Sequence, residues 1–171
     1  MAASIKIKLL KAPDIPIITS VFRHTVWKTP ASYFEGLLAA QDRGERLVLV
    51  ACYQNKFAGF VYIRWQSDYP PFAEKAIPEI SDLRVLPEFR RRGVATALVD
   101  EAEKRIFEKS SVAGIGVGLY ADYGAAQRLY VKRGYVPDGQ GLFYKYQPVK
   151  PGRDVFVDDN LVFYFTKERK S

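Results

Sequence analysis

Apolar and polar residues alternate with a period of two in several stretches of the chain, which is the pattern of half-buried β-strands. In the first half of the chain, four strands are predicted on this basis: Ser4–Leu10, Arg46–Asn55, Lys56–Ser67 and Glu79–Val85. The second and third of these meet at a polar turn around Asn55, so they predict a β-hairpin. In the second half, three further strands are predicted: Gly114–Tyr120, Gly141–Val149 and Leu161–Glu168.

A spacing of three to four residues between apolar positions predicts helices in the intervening segments. Four helices are expected. The first runs from about Ile15 to His24, the third from Gly93 to Lys109 and the fourth from Gly124 to Arg133. For the second helix, Thr29 is the expected cap, Pro30 the first helical residue and Gly44 the stop. The order of strands and helices is that of a mixed α/β domain. At 171 residues, the chain is expected to form one domain over residues 1–171.

Two segments carry residues that the fold alone does not require. The loop Asp68–Pro78 has three prolines and the aromatic residues Tyr69 and Phe72. A loop of this kind often serves a function, and the alternative is that the two rings pin it to the body of the protein. The predicted strand Gly114–Tyr120 has a glycine at every second position. One face of this strand therefore lacks side chains, which indicates that another group approaches it closely.

Composition and charge narrow the possible partners. The sequence is 48% hydrophobic with a formal net charge of +7, which is typical of a globular protein and favours an anionic partner: a nucleic acid, a membrane surface or a phosphorylated cofactor. Cys52 and His24 are the only residues of their types, so no internal disulfide, zinc site or other metal site is expected. Lys11 and Pro13 interrupt the N-terminal apolar run, so a cytoplasmic location without a membrane partner is expected.

Three consecutive arginines, Arg90 to Arg92, precede Gly93 at the start of the third predicted helix. The first turn of a helix leaves backbone N–H groups unpaired and carries partial positive charge, so it is suited to bind a phosphate. A glycine lets the backbone come close to a bulky anion. The alternative is a solvated basic turn, but the continuous unit of strand, turn and long helix favours a phosphate-binding turn.

These residues resemble a signature of the GNAT superfamily of N-acetyltransferases. The stretch RRRGVA, Arg90–Ala95, matches the pattern Arg/Gln-x-x-Gly-x-Gly/Ala, and the preceding DLRVLPEF is similar to the strand and turn that lead into it. YGAAQRLYVKRGY, Tyr123–Tyr135, resembles the later family motif Asn-x-x-Ala-x-x-Leu-Tyr, followed by Gly and an aromatic residue, with Tyr123 in place of the usual Asn. The resemblance covers Glu79 to about Tyr146. It implies a GNAT-like α/β fold: a mixed, mostly antiparallel sheet of about six to seven strands, with splayed central strands and about four flanking helices.

The resemblance also implies a donor, an acceptor and the residues that bind them. Acetyl-CoA is the expected donor, a primary amine of a small molecule or peptide is the expected acceptor, and family members often form homodimers. The backbone of residues 91–96 would hold the pyrophosphate, and the backbone of Leu83 and Val85 would pair with the pantetheine arm. The residues expected to contact acetyl-CoA are Leu83, Arg84, Val85, Arg90, Arg91, Arg92, Gly93, Val94, Ala95, Thr96, Tyr123 and Ala126. Those expected to line the acceptor site are Trp27, Tyr33, Trp65, Tyr69 and Phe72.

A carboxylate is needed to accept a proton from the acceptor amine before the amine can attack. Glu79 begins the fourth predicted strand, alternation places it on the face of Leu83, and some family members have their general base at this position. Asp82 is the competing candidate, although alternation directs it to the opposite face. A third interpretation leaves Glu79 as a solvated acid at the end of a strand, so the identity of the base stays open.

The other side of the reaction needs an oxyanion donor and a proton donor. The backbone N–H near Leu83 is expected to stabilise the oxyanion that forms on the thioester carbonyl. Tyr130 stands where the family places its general acid, and a tyrosine with an ordinary pKa of ~10 is a suitable proton donor. The alternative is that Tyr130 is only a packed aromatic residue.

Two other classes of function are also compatible with the sequence. The first is a non-catalytic sensor or interaction module that binds acyl-CoA. The second is a nucleic-acid-binding protein, suggested by the net charge of +7. No nucleic-acid partner is expected, because the basic residues are spread along the chain and no nucleic-acid-binding motif is present.

Overall fold

The computed structural model describes residues 4–170, which form eight strands and five α-helices. The strands are β1 (Ile5–Leu9), β2 (Arg46–Tyr53), β3 (Lys56–Arg64), β4 (Glu79–Val85), β5 (Val112–Gly118), β6 (Val136–Tyr144), β7 (Gln147–Pro148) and β8 (Leu161–Glu168). The helices are α1 (Asp14–Phe22), α2 (Ala31–Asp42), α3 (Pro70–Glu74), α4 (Val94–Phe107) and α5 (Gly124–Lys132). One mixed sheet has the strand order β1-β2-β3-β4-β5-β8-β6-β7.

The mixed α/β architecture confirms the predicted fold class, with one more strand and one more helix than expected. The additional strand is the short β7, which the sequence pattern had joined to β6. The additional helix is α3, within the loop Asp68–Pro78, where prolines occupy its first turn. Proline is tolerated there because the first helical N–H groups have no partner within the helix.

The predicted start of α2 is wrong in one detail. Pro30 is the N-cap residue of α2, the helix begins at Ala31, and no side chain caps it. Thr29 was expected to cap this helix. Its hydroxyl instead accepts a hydrogen bond of 2.9 Å from Arg84.

The described chain divides into two compact units. Residues 4–64 and 82–104 form the first unit, and residues 65–81 and 105–170 form the second. Strand β4 and helix α4 each run from one unit into the other. The expectation of a single domain stays a prediction.

The core of the first unit is built on aromatic side chains from α1, α2 and β3. The ring of Phe22 lies 5.5 Å from that of Phe34 and 5.9 Å from that of Phe60, and the Phe34 and Phe60 rings are 5.3 Å apart. All three side chains are buried. Tilted and edge-on contacts of this kind are favourable for aromatic pairs, so the three rings fix both helices on the sheet.

Strand β3 approaches β4 at Gly59. The register places Ala51 opposite Gly59 but Cys52 opposite Phe57, so a β-bulge leaves Ala58 outside the β2 ladder. The Ala58 carbonyl accepts a hydrogen bond of 2.9 Å from the N–H of Leu86. A Cβ atom on Gly59 would lie 2.4 Å from the carbonyl oxygen of Arg84, a distance that real Cβ atoms do not reach. Glycine at this position therefore permits the approach of the two strands.

In the second unit, aromatic rings cover the glycine face of β5. A Cβ atom would lie 2.3 Å from the Phe72 ring at Gly114, and 2.4 Å from the Tyr123 ring at Gly118. At Gly116, a Cβ atom would lie 2.9 Å from the ring of Tyr164. The expectation of a close approach to this face is confirmed, and the approaching groups are side chains of the same unit.

The loop Asp68–Pro78 is held by a buried aromatic cluster of Tyr69, Phe72, Phe143 and Tyr164. Tyr69 stacks on Tyr164 with ring centroids 3.5 Å apart, and its hydroxyl donates a hydrogen bond of 2.7 Å to Asp138. Tyr69 is 0% exposed and Phe72 is 1% exposed. The two rings therefore pin the loop to the body of the unit.

We expect Gly114→Ala to destabilise the protein by about 1–3 kcal/mol, the usual cost of overpacking a filled core. The Phe72 ring cannot move aside easily, because Tyr69 and Tyr164 contact it on other sides. Gly36→Ala is the matched control, since Gly36 lies in α2 with no atom within 4 Å of the added methyl group. This change should raise stability by up to ~1 kcal/mol, because alanine favours helix. Equal midpoints of urea unfolding for the two variants would contradict the packing described for β5.

Candidate functional site

The turn between β4 and α4 belongs to the first unit and has two residues in the left-handed region. Arg91 has φ of 56° and Gly93 has φ of 83°. The Ala97 N–H donates to the Gly93 carbonyl at 2.9 Å, which is the first hydrogen bond of α4. The N–H groups of residues 94–96 precede that bond and so have no carbonyl partner within the helix. Successive N–H groups in such a turn form a concave site for an anion.

The three arginines of this turn are exposed, and two of them pack on aromatic rings. The Arg90 guanidinium lies 6.0 Å from the ring of Trp27, and that of Arg92 lies 5.4 Å from the ring of Tyr53. No acidic residue occupies the first turn of α4. Three positive charges therefore stand at a helix N-terminus, where the helix dipole disfavours them.

Asp82 in strand β4 has a left-handed backbone conformation, with φ of 54°. The Asp82 carboxylate accepts a hydrogen bond from the Tyr33 hydroxyl and another of 2.6 Å from Nε of Arg84. Burial, and then the negative charge of Asp82, raise the pKa of Tyr33 above its ordinary value, so this hydroxyl stays a donor. The left-handed residue breaks the period-two alternation of the strand. Alternation therefore does not relate the faces of Glu79 and Leu83, and it does not exclude Asp82 as the base.

The Arg84 side chain is held by polar and aromatic contacts in the first unit. Besides its ion pair with Asp82, its Nη1 donates to the hydroxyl of Thr29. Its guanidinium carbon lies 5.7 to 5.8 Å from the rings of Trp27, Tyr33 and Phe60. These contacts fix the orientation of the guanidinium.

The backbone of β4 after Asp82 presents its hydrogen-bonding groups to two sides in turn. The Leu86 N–H faces β3, where it bonds Ala58, and the Arg84 carbonyl lies close to Gly59. Strand alternation then directs the groups of Leu83 and Val85 to the other edge. The Val85 carbonyl accepts a hydrogen bond of 3.3 Å from Nε of Arg90. A side chain rather than a neighbouring strand thus bonds this carbonyl.

Glu79 lies in the second unit and is buried, with 7% of its surface exposed. Its carboxylate accepts a hydrogen bond of 2.5 Å from the Ser67 hydroxyl, which in turn accepts one of 3.0 Å from the Tyr69 N–H. The parallel ladder of β4 with β5 pairs Glu79 with Gly114 and Ile80 with Ile115. Glu79 is therefore a positioned, buried carboxylate and not the solvated acid of the third interpretation.

The hydroxyl of Ser81 lies on the same strand, two residues after Glu79. It is buried, and no group among residues 4–170 forms a hydrogen bond with it. A buried polar group without a partner is unusual in a folded protein and calls for an explanation. A bound ligand or an ordered water molecule would provide the missing partner.

Tyr130 is on α5 in the second unit and is 5% exposed. Its ring lies 6.1 Å from the ring of Tyr135. Burial raises the pKa of the Tyr130 hydroxyl above its ordinary value, because the phenolate is poorly solvated there. The hydroxyl therefore stays protonated over the physiological pH range, as a proton donor requires.

Tyr123 makes contacts within the second unit that an asparagine could not make. Its ring covers Gly118, and its hydroxyl donates a hydrogen bond of 2.8 Å to Asp159, which also accepts one from the Tyr120 hydroxyl. Burial and the Asp159 carboxylate raise the pKa of Tyr123. Ala126 lies one turn later on α5 and is partly buried. Binding of the cofactor by Tyr123 and Ala126 stays a prediction.

The residues expected to line the acceptor site differ in exposure. Tyr69 and Phe72 lie inside the aromatic cluster and present almost no surface to a ligand. Trp27, Tyr33 and Trp65 are partly exposed. In the first unit, Trp27 and Tyr33 both lie beside Arg84. In the second unit, the ammonium nitrogen of Lys109 lies 4.2 Å from the centre of the Trp65 ring.

Clusters of metal-ligating side chains and membrane-spanning helices are both absent from residues 4–170. No group of three or more His, Cys, Asp and Glu side chains has the arrangement of a metal site. No helix in this part of the chain is long and apolar enough to cross a membrane.

Comparison with known proteins then identifies the family. The model of the acetyltransferase (GNAT) family matches residues 18–135. The chain belongs to the GNAT family of acetyltransferases. An uncharacterized N-acetyltransferase of Archaeoglobus fulgidus is 33% identical over 85 residues, which are 49% of this chain and 50% of that protein. The chain thus spans about half the length of this curated relative.

Three solved structures share the fold of this chain. The ribosomal-protein-alanine N-acetyltransferase of Brucella melitensis has a TM-score of 0.67 at 20% identity, over 96% of this chain and 99% of that one. An N-acetyltransferase of Staphylococcus aureus has a TM-score of 0.69 at 15% identity, over 96% and 98%. NAA60 of Arabidopsis thaliana, solved in complex with acetyl-CoA, has a TM-score of 0.68 at 16% identity, over 96% and 98%. At these identities the likeness concerns the GNAT fold alone.

Several residues of this GNAT domain acquire importance only in the structure. Ser67 holds Glu79, Thr29 holds Arg84, and Asp159 accepts from Tyr123. No local pattern predicts these three contacts, because the partners in each are distant in sequence. Gly59 could have been found, since an isolated glycine within a strand signals a close backbone approach.

Proposed function

We propose that the chain transfers the acetyl group of acetyl-CoA to the primary amine of a small molecule or peptide, by direct attack of the amine on the thioester. The turn between β4 and α4 is the observation that carries this proposal. Its left-handed residues, Arg91 and Gly93, leave the N–H groups at the start of α4 for an anion. Family membership makes the pyrophosphate of acetyl-CoA the anion of choice.

Charge at this turn supports the same assignment. Arg90, Arg91 and Arg92 stand beside the positive end of the α4 dipole, with no acid in the first turn of the helix. Each such charge disfavours the helix by roughly 0.3–1 kcal/mol at an exposed site. A bound pyrophosphate would offset this cost, because its negative charge would attract both the arginines and the N–H groups at the start of α4.

Acetyl-CoA, when bound, supplies an acetyl group activated as a thioester. The Leu83 and Val85 backbone groups on the side of β4 away from β3 would bond the pantetheine arm in the manner of an added strand. Arg90 would then release the Val85 carbonyl that it now bonds. The Leu83 N–H would stabilise the charge that develops on the thioester oxygen.

Two proton transfers complete the reaction. Glu79 would accept the proton that the acceptor amine must lose, directly or through water. Its hydrogen bond from Ser67 fixes the carboxylate for that role. Tyr130 would give its proton to the departing coenzyme A thiolate. The amine forms a bond to the acetyl carbon while the carbon–sulfur bond breaks, so the products are an amide and a free thiol.

Gly93→Ala should weaken binding of acetyl-CoA by about tenfold, which corresponds to ~1.4 kcal/mol. The added Cβ would lie 3.7 Å from the Ile5 side chain, so it causes no clash. The cost arises from φ of 83°, which alanine disfavours, and relief of that strain would turn the N–H groups away. Gly44→Ala is the matched control, with φ of 75° and no atom within 4 Å of the new methyl group.

Calorimetric titration with acetyl-CoA measures both affinities. Gly44→Ala should lose a similar amount of stability and keep its affinity. Unchanged affinity in Gly93→Ala, with the stability loss present, would show that the α4 turn does not hold the cofactor.

Tyr130→Phe should slow release of free thiol by about 10²–10⁴-fold, the range for loss of a general acid. The affinity for acetyl-CoA should change little, because phenylalanine keeps the packed ring. Burial raises the pKa of Tyr130 above the ordinary tyrosine value of ~10. Tyr130 should therefore keep its proton up to that pH, and the wild-type rate should not fall through loss of this proton at lower pH. Tyr135→Phe, in the neighbouring buried ring, is the control and should retain turnover. Full turnover in Tyr130→Phe would remove this residue from the mechanism.

Glu79→Gln and Asp82→Asn distinguish the two candidate bases. We expect Glu79→Gln to lower kcat/KM by about 10²–10⁴-fold and to remove the rise of kcat/KM with pH that deprotonation of a base produces. Asp82→Asn should have a smaller effect, since both Asp82 oxygens already accept hydrogen bonds, from Tyr33 and Arg84. The reverse order of the two losses would assign the base role to Asp82. Tight binding of acetyl-CoA with no turnover of any amine would instead favour a non-catalytic sensor.

A further inference from the structure

Five side chains in the first unit form a group, here named the Trp27 cluster, that has more hydrogen-bond donors than its internal contacts use. Its members are Trp27, Tyr33, Asp82, Arg84 and Arg90. The central residue is Arg84, whose guanidinium has five N–H donors in a planar fork. One donor bonds Asp82 and one bonds the Thr29 hydroxyl. The other three have no acceptor among residues 4–170, and the side chain is 23% exposed.

The guanidinium of Arg84 is held in place before any ligand arrives. The buried ring of Phe60 and the partly exposed rings of Trp27 and Tyr33 lie 5.7 to 5.8 Å from its central carbon. Thr29, which accepts its Nη1 hydrogen bond, is itself buried. A ligand that bonds this group therefore loses little affinity to ordering of the arginine side chain.

The charges of the Trp27 cluster do not balance. Arg84 and Arg90 both lie within 6.0 Å of the Trp27 ring, whereas Asp82 is the one carboxylate bonded to Arg84. The charge of Arg90 is assigned to the pyrophosphate at the α4 turn, so a ligand of the cluster would meet the three unused donors of Arg84. A carboxylate suits these donors, because its two oxygens fit the parallel N–H groups at the end of a guanidinium.

The position of Arg84 on β4 indicates which molecule brings the carboxylate. Arg84 directly follows Leu83, the residue whose N–H is assigned to the thioester oxygen. A carboxylate bound by Arg84 would thus belong to the acceptor, with its amine only a few bonds away. A free amino acid has this arrangement, whereas the N-terminus of a peptide has an uncharged amide in place of the carboxylate.

We propose that the Trp27 cluster binds the carboxylate of the acceptor, and that the acceptor is a free amino acid rather than a peptide N-terminus. This inference rests on the proposed acetyltransferase function. Arg84 binds the carboxylate through its unused N–H donors. The Trp27 ring packs against Arg84 and Arg90, and Asp82 and Tyr33 hold the Arg84 side chain in position.

The test compares acetyl transfer to free L-amino acids with transfer to the corresponding L-amino acid amides. The amides keep the amine and side chain and replace only the carboxylate. The wild-type protein should favour the best acid over its amide in kcat/KM by at least about tenfold, the effect of one charge-assisted interaction. Arg84→Met should reduce this ratio to near one. Arg84→Lys, which keeps the charge without the fork, should give an intermediate ratio.

Arg46→Met is the matched control, because the Arg46 guanidinium also lies on an aromatic ring of the first unit, 5.0 Å from the Tyr62 centroid. This variant should keep the wild-type preference for the acid. The midpoint of thermal unfolding, measured for every variant, shows whether a change in the acid-to-amide ratio results from loss of the fold or from loss of carboxylate binding. Equal use of acids and amides by the wild type, or an unchanged ratio in Arg84→Met, would overturn the proposal and leave the acetyltransferase function standing.

A second readout decides the case in which no acid or amide is acetylated. The chain has two tryptophans, so a fluorescence change that the wild type shows and Trp27→Phe lacks reports on the surroundings of Trp27. Titration with the same L-amino acids should produce such a change in a saturable manner, and titration with the amides should not. Absence of any such change would overturn carboxylate binding. Calorimetry with acetyl-CoA tests the proposed function separately, since failure to bind acetyl-CoA bears on that function and not on the Trp27 response.

Discussion

The left-handed backbone at Asp82 is the constraint on which the chemistry of strand β4 depends. A residue other than glycine loses roughly 1–2 kcal/mol in this conformation, and aspartate tolerates it better than most. Hydrogen bonds to its carboxylate from Tyr33 and Arg84 offset that cost. The period of two is broken here, so Glu79 and Ser81 before the break and Leu83 and Arg84 after it have independent orientations. One strand can therefore carry the buried carboxylate of Glu79, the backbone groups of Leu83 that are available for pairing, and the side chain of Arg84 that contacts Tyr33 of α2.

The close approach of β3 and β4 keeps this irregular strand in place. Gly59 lets the Arg84 carbonyl come near, and the bulge at Ala58 provides the carbonyl for the Leu86 N–H. Beyond Leu86, the chain enters the turn that ends at Gly93, where the free N–H groups of α4 begin. Backbone geometry along β4 thus sets the direction of both the proposed oxyanion donor and the proposed phosphate site. The arginines add charge to that geometry, and they do not create it.

The sequence predicted the fold class, most elements and the family because these depend on local spacing. Alternation located β4, and the Arg-x-x-Gly-x-Ala pattern located the start of α4. Contacts between distant residues lie beyond such patterns: the sequence predicts Thr29 as a helix cap, whereas its hydroxyl accepts a hydrogen bond from Arg84, 55 positions away. The left-handed residue at Asp82 gave no signal either, since aspartate also occurs in ordinary strands. For this reason, the pattern of β4 predicts an alternation that continues through Asp82, whereas the backbone interrupts it there.

Gly118 of β5 and the tyrosine at position 123 depend on each other for packing. The Tyr123 ring occupies the space beside Gly118 where any other residue would place a Cβ atom. Its hydroxyl reaches Asp159, so the segment before β8 is fastened to the start of α5. An asparagine at position 123, as is usual in the family motif, is too short for either contact. The departure from the motif therefore goes together with Gly118 and Asp159, and the three positions should change as a set.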